Sequence, residues 1–434
     1  MTPKPRILVT DDTGLAIAHD PRPGPRPPAK NLGRTAVAAL WMAVLPGQNA
    51  FAQQGKSADE VGELKKKVAA QESVIQELLQ WKKTVEASST ASAEARGDEP
   101  GSGANERAHF PQLEFHGFAD VEYRASDRPG QKNAFGLGQL ALFVTSQLAE
   151  DVSVLNENVI EANNKNELGF EIERLLLQYT PSDYFNVAVG RSHTAIGWYN
   201  NAYHHGTWFQ TATGRPFVFN FEDNEGIIAT HNVGVNISGL IPSGRLGLHY
   251  LAEVGNGRDY STGREAVQTV VDNNGHKAVN LALFARPTRW PGLQAGVSVY
   301  HDRLTTDTLP DITQTIFAAH AIYYTPAFEW LNEGMLFRHA PSGTGQVHYT
   351  PAFYTQIARQ FGPFRPFVRY QYFNAPATDP LFAHLGLSGL RHGPSVGLRY
   401  DFTELATLKL QYDHYFEPGN LRVNQFTAQV GFTF

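Results

Sequence analysis

From residue 113 onward, apolar and polar positions alternate with a period of two. In 425–434 (QFTAQVGFTF), Phe426, Ala428, Val430, Phe432 and Phe434 share one strand face, and Gln425, Thr427, Gln429, Gly431 and Thr433 share the other. Leu246, Leu248, Tyr250, Ala252 and Val254 alternate in the same way with Arg245, Gly247, His249 and Glu253. Val396, Leu398, Tyr400 and Phe402 oppose Ser395, Arg399 and Asp401, while Leu408, Leu410 and Tyr412 oppose Lys409, Gln411 and Asp413. Such strands suit a wall with lipid on one side and a water-filled lumen on the other. The pattern predicts sixteen strands, at 113–126, 136–149, 151–163, 168–180, 184–192, 227–240, 245–255, 277–286, 292–304, 312–325, 327–339, 347–361, 364–374, 393–403, 407–417 and 422–434. Two segments slip phase, 170–179 (FEIERLLLQY) and 327–339. A bulge or packing on the lumen side would produce such a slip.

The connections carry an independent signal. Tight links rich in Pro, Gly or Asp, at 150–151, 180–183, 241–244, 287–291, 325–326, 361–363 and 403–404, alternate with longer ones at 127–135, 193–226, 256–276, 305–311, 340–346 and 375–392. Short periplasmic turns alternating with long outer loops characterise an antiparallel transmembrane β-barrel and not a soluble sandwich. Tyr179, Tyr184, Trp290, Tyr324, Trp330, Phe364 and Phe434 fall near the short-turn rim, where an interfacial aromatic girdle belongs.

Composition agrees. The 434 residues include 27 Phe, 17 Tyr and 39 Gly but no Cys, so disulfides and thiolate metal sites are excluded. A net charge of −6 gives no footing for nucleic acid. Mean hydropathy is −0.32, and no apolar run reaches the roughly 20 residues of a membrane-spanning helix.

Ahead of the barrel, the pattern changes. Residues 1–52 read as an N-terminal extension followed by a secretory signal peptide, with Lys30 and Arg34, an apolar stretch at 35–45, and Ala50-Phe51-Ala52 as the cleavage site. Within 53–86, Val61, Leu64, Val68, Gln71, Ile75, Leu78, Lys82 and Val85 take the 3-4 spacing of a short periplasmic coiled coil. Residues 87–112 are small and polar, a flexible linker before the barrel at 113–434.

Gly431, Phe432 and Phe434, at the end of the alternating 425–434 strand, resemble the C-terminal signal of bacterial outer-membrane barrels. That resemblance implies recognition by the barrel-assembly machinery, a Gram-negative outer-membrane location and contact with outer-membrane lipids. The sixteen strands resemble the Gram-negative porin superfamily, and the coil before them is loosely similar to phosphate-selective-type porins. The dense Arg/Lys ladder of that type is not evident, so the resemblance does not carry phosphate as solute. A homotrimer is implied by the same likeness, and peptidoglycan is a possible partner of the coil.

A barrel of this size is too wide for its own side chains to fill. The longest connection, 193–226, includes Trp198, Tyr199, Tyr203, Trp208, Phe209, Phe217, Phe219 and Phe221, and so much aromatic surface must pack on something. It is expected to fold inward and constrict the lumen, with Arg215, Glu222, Asp223, His204 and His205 contributing. Asp120, Glu122, Arg124, Arg245, Glu253, Arg369, Arg399, Asp401, Lys409 and Asp413 are the expected pore-lining charges. A basic wall facing an acidic loop would set up a transverse field, or the charges would pair to hold the barrel's shape. His193, His204, His205 and His231 lack HxH or HxxxH spacing, and no metal or other cofactor is expected. No catalytic motif occurs. The reading is passive diffusion of ions and small polar or charged solutes; the alternative is a structural tether or scaffold with a plugged barrel.

Overall fold

The computed structural model describes residues 111–162, 167–203, 207–220, 226–258, 271–272, 274–305 and 309–434. The signal peptide, the coiled coil and the linker up to residue 110 lie outside the described residues, as do His204, His205, Phe221, Glu222 and Asp223.

Sixteen strands follow one another: β1 (Gln112–Ser126), β2 (Ala134–Ala149), β3 (Val152–Ala162), β4 (Leu168–Ser182), β5 (Phe185–His193) and β6 (His231–Ile241). Next come β7 (Leu248–Gly255), β8 (Ala278–Ala285), β9 (Leu293–Leu304), β10 (Ile312–Tyr324) and β11 (Phe328–Pro341). The last are β12 (His348–Arg359), β13 (Phe364–Ala375), β14 (Gly389–Asp401), β15 (Ala406–Glu417) and β16 (Leu421–Thr433). Each pairs antiparallel with its neighbours in sequence, and β1 pairs with β16 from Phe118↔Thr433 to Ser126↔Gln425, so the sheet closes as a barrel. Phe434 N donates to Gly117 O (2.9 Å) and Gly117 N to Phe434 O (3.0 Å), which completes the seam. No helix among the described residues is long and apolar enough to cross a membrane.

The alternation is visible in burial. On β10, Ile312, Gln314, Ile316, Ala318, His320 and Ile322 are buried inside, while Phe317 is exposed outside. Val297, Phe353, Val368, Val396, Phe426 and Val430 extend the exposed apolar outer surface. Such a surface is stable where lipid replaces water.

The two phase slips have different causes. In β4 the register against β3 shifts between Glu157 and Asn158, so that consecutive Glu173 and Arg174 both turn inward. That is a bulge, which re-aims side chains. β11 keeps perfect register, but its inner face carries Leu331, Met335 and Phe337, buried against material inside the barrel.

Three expectations are corrected. The apolar run 227–230 does not begin β6; Ile227, Ile228, Ala229 and Thr230 are buried as the returning leg of the long loop. Arg245 does not line the pore, because Gly244 and Gly247 take positive φ and wrap Gly244–Leu246 into an exposed 3-10 turn before β7 begins. Tyr324 leaves the girdle, because its position on β10 faces inward and its ring packs on the interior cluster. Tyr179, Tyr184, Trp290, Trp330, Phe364 and Phe434 are exposed outside.

Candidate functional site: the lumen and its long loop

The described residues of the connection from β5 to β6 bond to side chains of the inner wall. Thr194 N donates to Thr230 O (3.0 Å), and Asn200 Nδ2 reaches both Thr230 O (2.8 Å) and Thr194 O (3.1 Å), so the two legs are fastened together where they leave the wall. From there the loop meets one strand after another. Ala195 N donates to Glu253 Oε2 on β7 (3.0 Å), and Gly197 N to Ser298 Oγ on β9 (3.2 Å). Trp198 N (2.5 Å) and Tyr199 N (3.0 Å) donate to the Glu333 carboxylate on β11, which also accepts from Tyr354 Oη (2.7 Å). This carboxylate caps the orphan N–H groups of the short helix Tyr199–Tyr203. Gly197 makes the approach possible: its φ is +77°, and a Cβ there would lie 2.3 Å from Glu333 Oε2.

Beyond the helix, aromatic packing takes over. Phe219 and Tyr199 stack at 5.1 Å, and both meet Tyr354 edge-on. Phe217 meets Phe373 at 6.0 Å. Burial pushes the Tyr199 hydroxyl up to about 12, so it stays neutral and donates to Gln210 Oε1. Wall residues Tyr300, Ile316, Ile322, Leu331, Met335, Phe337 and Phe373 complete this interior cluster.

Across the lumen the wall is polar, and it holds the loop by its backbone. Arg399 Nη1 donates to the carbonyls of Trp208 (2.7 Å), Gln210 (3.0 Å) and Phe209 (3.4 Å), with its guanidinium 5.3 Å from the Trp208 ring. Lys409 Nζ donates to Thr207 O and to Ala212 O (3.3 Å). Arg369 Nη1 donates to Gly214 O (2.8 Å). Gln411 accepts from Thr213 N (3.0 Å) and Gln371 from Phe217 N (2.9 Å). Charge-assisted bonds of this kind satisfy loop carbonyls that have no strand partner.

This changes the expected electrostatics. Arg369, Arg399 and Lys409 are buried among loop carbonyls and do not form an open basic ladder. Arg215 also turns to its own loop, toward Phe219 O and Asn200 Oδ1 (3.1 Å). The acids are equally engaged: Asp120 accepts from Gln139 N (3.0 Å), Gln429 Nε2 (2.9 Å) and Thr207 Oγ1 (3.3 Å). Asp401 pairs with Arg399 (2.7 Å), Asp413 accepts from Gln411 Nε2 (2.8 Å) and Tyr415 Oη (2.7 Å), and Glu122 pairs with Arg124 (2.9 Å).

Sequence reasoning missed Glu329, Glu333, Gln371, Gln411 and Arg258. Arg258 Nη1 donates to Ile228 O (3.1 Å) and Nη2 to Gly226 O (2.5 Å), which fixes the returning leg. Inward parity would have found the strand residues, since each occupies a buried position of its strand; Arg258 follows β7 and no periodicity marks it. A cavity of about 460 Å³ remains at the short-turn end, lined by Glu157, Arg174, His193, Arg286, Gln294 and His320 among others.

No family model and no curated protein matches the chain. Solved structures do. The anion-selective porin from Comamonas acidovorans aligns over 75% of this chain and 100% of its own, with TM-score 0.54 and 12% identity. The outer membrane channel DcaP of Acinetobacter baumannii aligns over 75% and 97%, with TM-score 0.53 and 10% identity. OmpF of Salmonella typhi, in complex with daunomycin, aligns over 75% and 98%, with TM-score 0.52 and 13% identity. The structural neighbours of this chain are thus Gram-negative outer-membrane porins, and the shared fold is the closed sixteen-stranded barrel.

Proposed function

We propose that the chain is an outer-membrane porin that passes ions and small polar solutes by passive diffusion, through a barrel narrowed by the loop 193–226. The carrying observation is that this loop is bonded to strands on both sides of the lumen, from Glu333 on β11 to Arg399 on β14 and Lys409 on β15. A loop held at both sides partitions the interior and leaves the route to be set by its edges. The porin neighbours support a channel role for the same fold. Glu122, Arg124 and Asp401, which keep some exposure, are the wall charges a solute would pass, while Asp120, Glu253 and Asp413 are buried and hold loop and wall in place. The barrel works as a homotrimer embedded in outer-membrane lipid, inserted by the assembly machinery through Gly431, Phe432 and Phe434. Residues 53–86 form a periplasmic coiled coil, and chemistry plays no part.

Single-channel conductance of the refolded protein in a planar bilayer tests this reading. Stepwise conductance, with a reversal potential in a salt gradient, supports it. A well-folded, heat-modifiable barrel without conductance sinks it. One observation favours that second outcome, a plugged barrel serving as tether or scaffold toward peptidoglycan: the basic wall residues are committed to loop carbonyls. Releasing the loop with Arg399→Ala and Lys409→Ala would then open a pore that the parent chain lacks.

A further inference from the structure

We propose that Glu173, His193 and His231 form a site for one divalent transition-metal ion of the zinc type. One ligand atom from each lies within 4.8 Å of the other two, and all three side chains are buried. Two imidazoles and a carboxylate are a donor set that Zn²⁺, Co²⁺ or Ni²⁺ takes readily. In a tetrahedral zinc site with bonds of about 2.0–2.1 Å, ligand atoms sit about 3.3 Å apart, a spacing within the 4.8 Å that encloses these three.

Three features of the fold assemble the site. His193 ends β5 and His231 begins β6, and the two are register partners whose rings meet at 5.5 Å. The β4 bulge turns Glu173 inward beside them, although strict alternation would put either it or Arg174 outside. Thr230 Oγ1 lies 3.2 Å from His231 Nδ1. With Nδ1–H donating to that hydroxyl, Nε2 presents its lone pair toward Glu173 Oε2, which it contacts. Two acceptors facing each other require a proton or a cation between them, and an outer-shell acceptor for the other N–H of a ligand imidazole is usual at metal centres.

Two guanidinium groups lie beside the site, each with an acceptor of its own. Arg174 Nε is held by Glu157 Oε2 (2.6 Å), and Arg191 Nε donates to the carbonyl of Glu173 (3.2 Å). Glu157 Oε2 also lies 3.7 Å from His193 Nε2, a second carboxylate within reach of the site. His193, Glu157 and Arg174 line the 460 Å³ cavity, which gives an ion a way in. The site has a structural consequence. His193 and His231 flank the Thr194–Thr230 pair, so a bound ion would staple the two feet of the loop to the wall.

The test uses the full-length protein, refolded in detergent with chelator and then titrated with Co²⁺ and Zn²⁺. We expect one Co²⁺ per chain with a tetrahedral ligand-field spectrum, displaced by Zn²⁺. X-ray absorption of the zinc-loaded protein should show two imidazoles in the first shell. His193→Ala with His231→Ala should abolish the spectrum, and Thr230→Val should weaken binding by about 10-fold. Cobalt bound with an octahedral spectrum, a first shell with fewer than two imidazoles, or a spectrum kept by the double variant would each overturn the proposal. The absorption measurement on the parent protein decides the matter even where the double variant does not fold.

Discussion

The two walls that hold the loop do so by different physics. On β9–β12 the contact is mainly apolar: Phe219 and Tyr199 pack on Tyr354 in a cluster with Leu331, Met335 and Phe337, with two carboxylates, Glu333 at the helix start and Glu329 on Thr211 Oγ1. On β13–β16 it is mainly polar: Arg369, Arg399, Lys409, Gln371 and Gln411 take loop carbonyls and amides one by one. Apolar burial is non-directional and holds a segment firmly without fixing its register. Hydrogen bonds are individually weaker on balance but specify which carbonyl sits where. The apolar wall thus supplies adhesion, and the polar wall supplies position.

The most damaging single change should be on the apolar side. Phe219→Ala removes a fully buried ring at a cost of about 3–5 kcal/mol, which is at least a ~100-fold rise in the undocked loop. Tryptic nicking at Arg215 in the folded barrel should accelerate to match, and an unchanged rate would show that the polar wall holds the loop by itself. Gly197→Ala comes next. Its left-handed φ and the 2.3 Å approach to Glu333 predict a cost of about 1–3 kcal/mol, read by the same nicking assay with the barrel's heat-modifiable migration unaltered.

Arg399→Lys should do something different in kind. A lysine cannot serve the Trp208, Phe209 and Gln210 carbonyls together, and about 1–2 kcal/mol of loop stability should go, with broadened open-channel current noise as the sharper readout. If Arg399→Lys nicks as fast as Phe219→Ala, the division of labour between the walls is wrong.

The smallest effect lies outside both walls. The side-chain amide of Asn424 (2.6 Å) and its backbone N–H (2.7 Å) donate to Asp127 and hold its carboxyl below the ordinary 3.8. Because the folded value is depressed, this fastening is complete above about pH 4 and fades as pH falls through the lower folded value. Amide exchange at Asn424 should quicken only in that acid window, and Asp127→Asn should remove the pH dependence.

The barrel was legible because lipid and water impose one rule on every residue of every strand. All sixteen strands form in the expected order, with the starts of β6, β7 and β14 displaced by three or four residues, and the porin neighbours share that closed barrel. The interior obeys no such rule. Arg245 has strand parity, yet two glycines with positive φ bend it into a turn. Residues 227–230 look like strand because any buried segment is apolar, whether its partner is lipid or a loop. The slip in β11 signalled a wall with protein on its inner side, and the slip in β4 signalled a bulge; periodicity alone gives both the same appearance. His193 and His231 are 38 positions apart in the sequence and become partners only through the β5–β6 register.

Closure of the barrel also sets a kinetic order. The seam ties Thr433 Oγ1 to the Gly117 carbonyl across 316 positions, beside the backbone pair of Gly117 and Phe434, so its bonds carry the greatest loop-closure cost in the sheet and are expected to form last. Until then β1 and β16 are both open edges, able to pair with another chain as well as with each other. Phe434 lies against Gly117, and a Cβ there would come within 2.6 Å of the ring, so the ring would have to swing away from the seam. A side chain at 117 would crowd both the seam and the Ala141 carbonyl of β2, slow the zipping, and leave the unzipped population to partition toward aggregates.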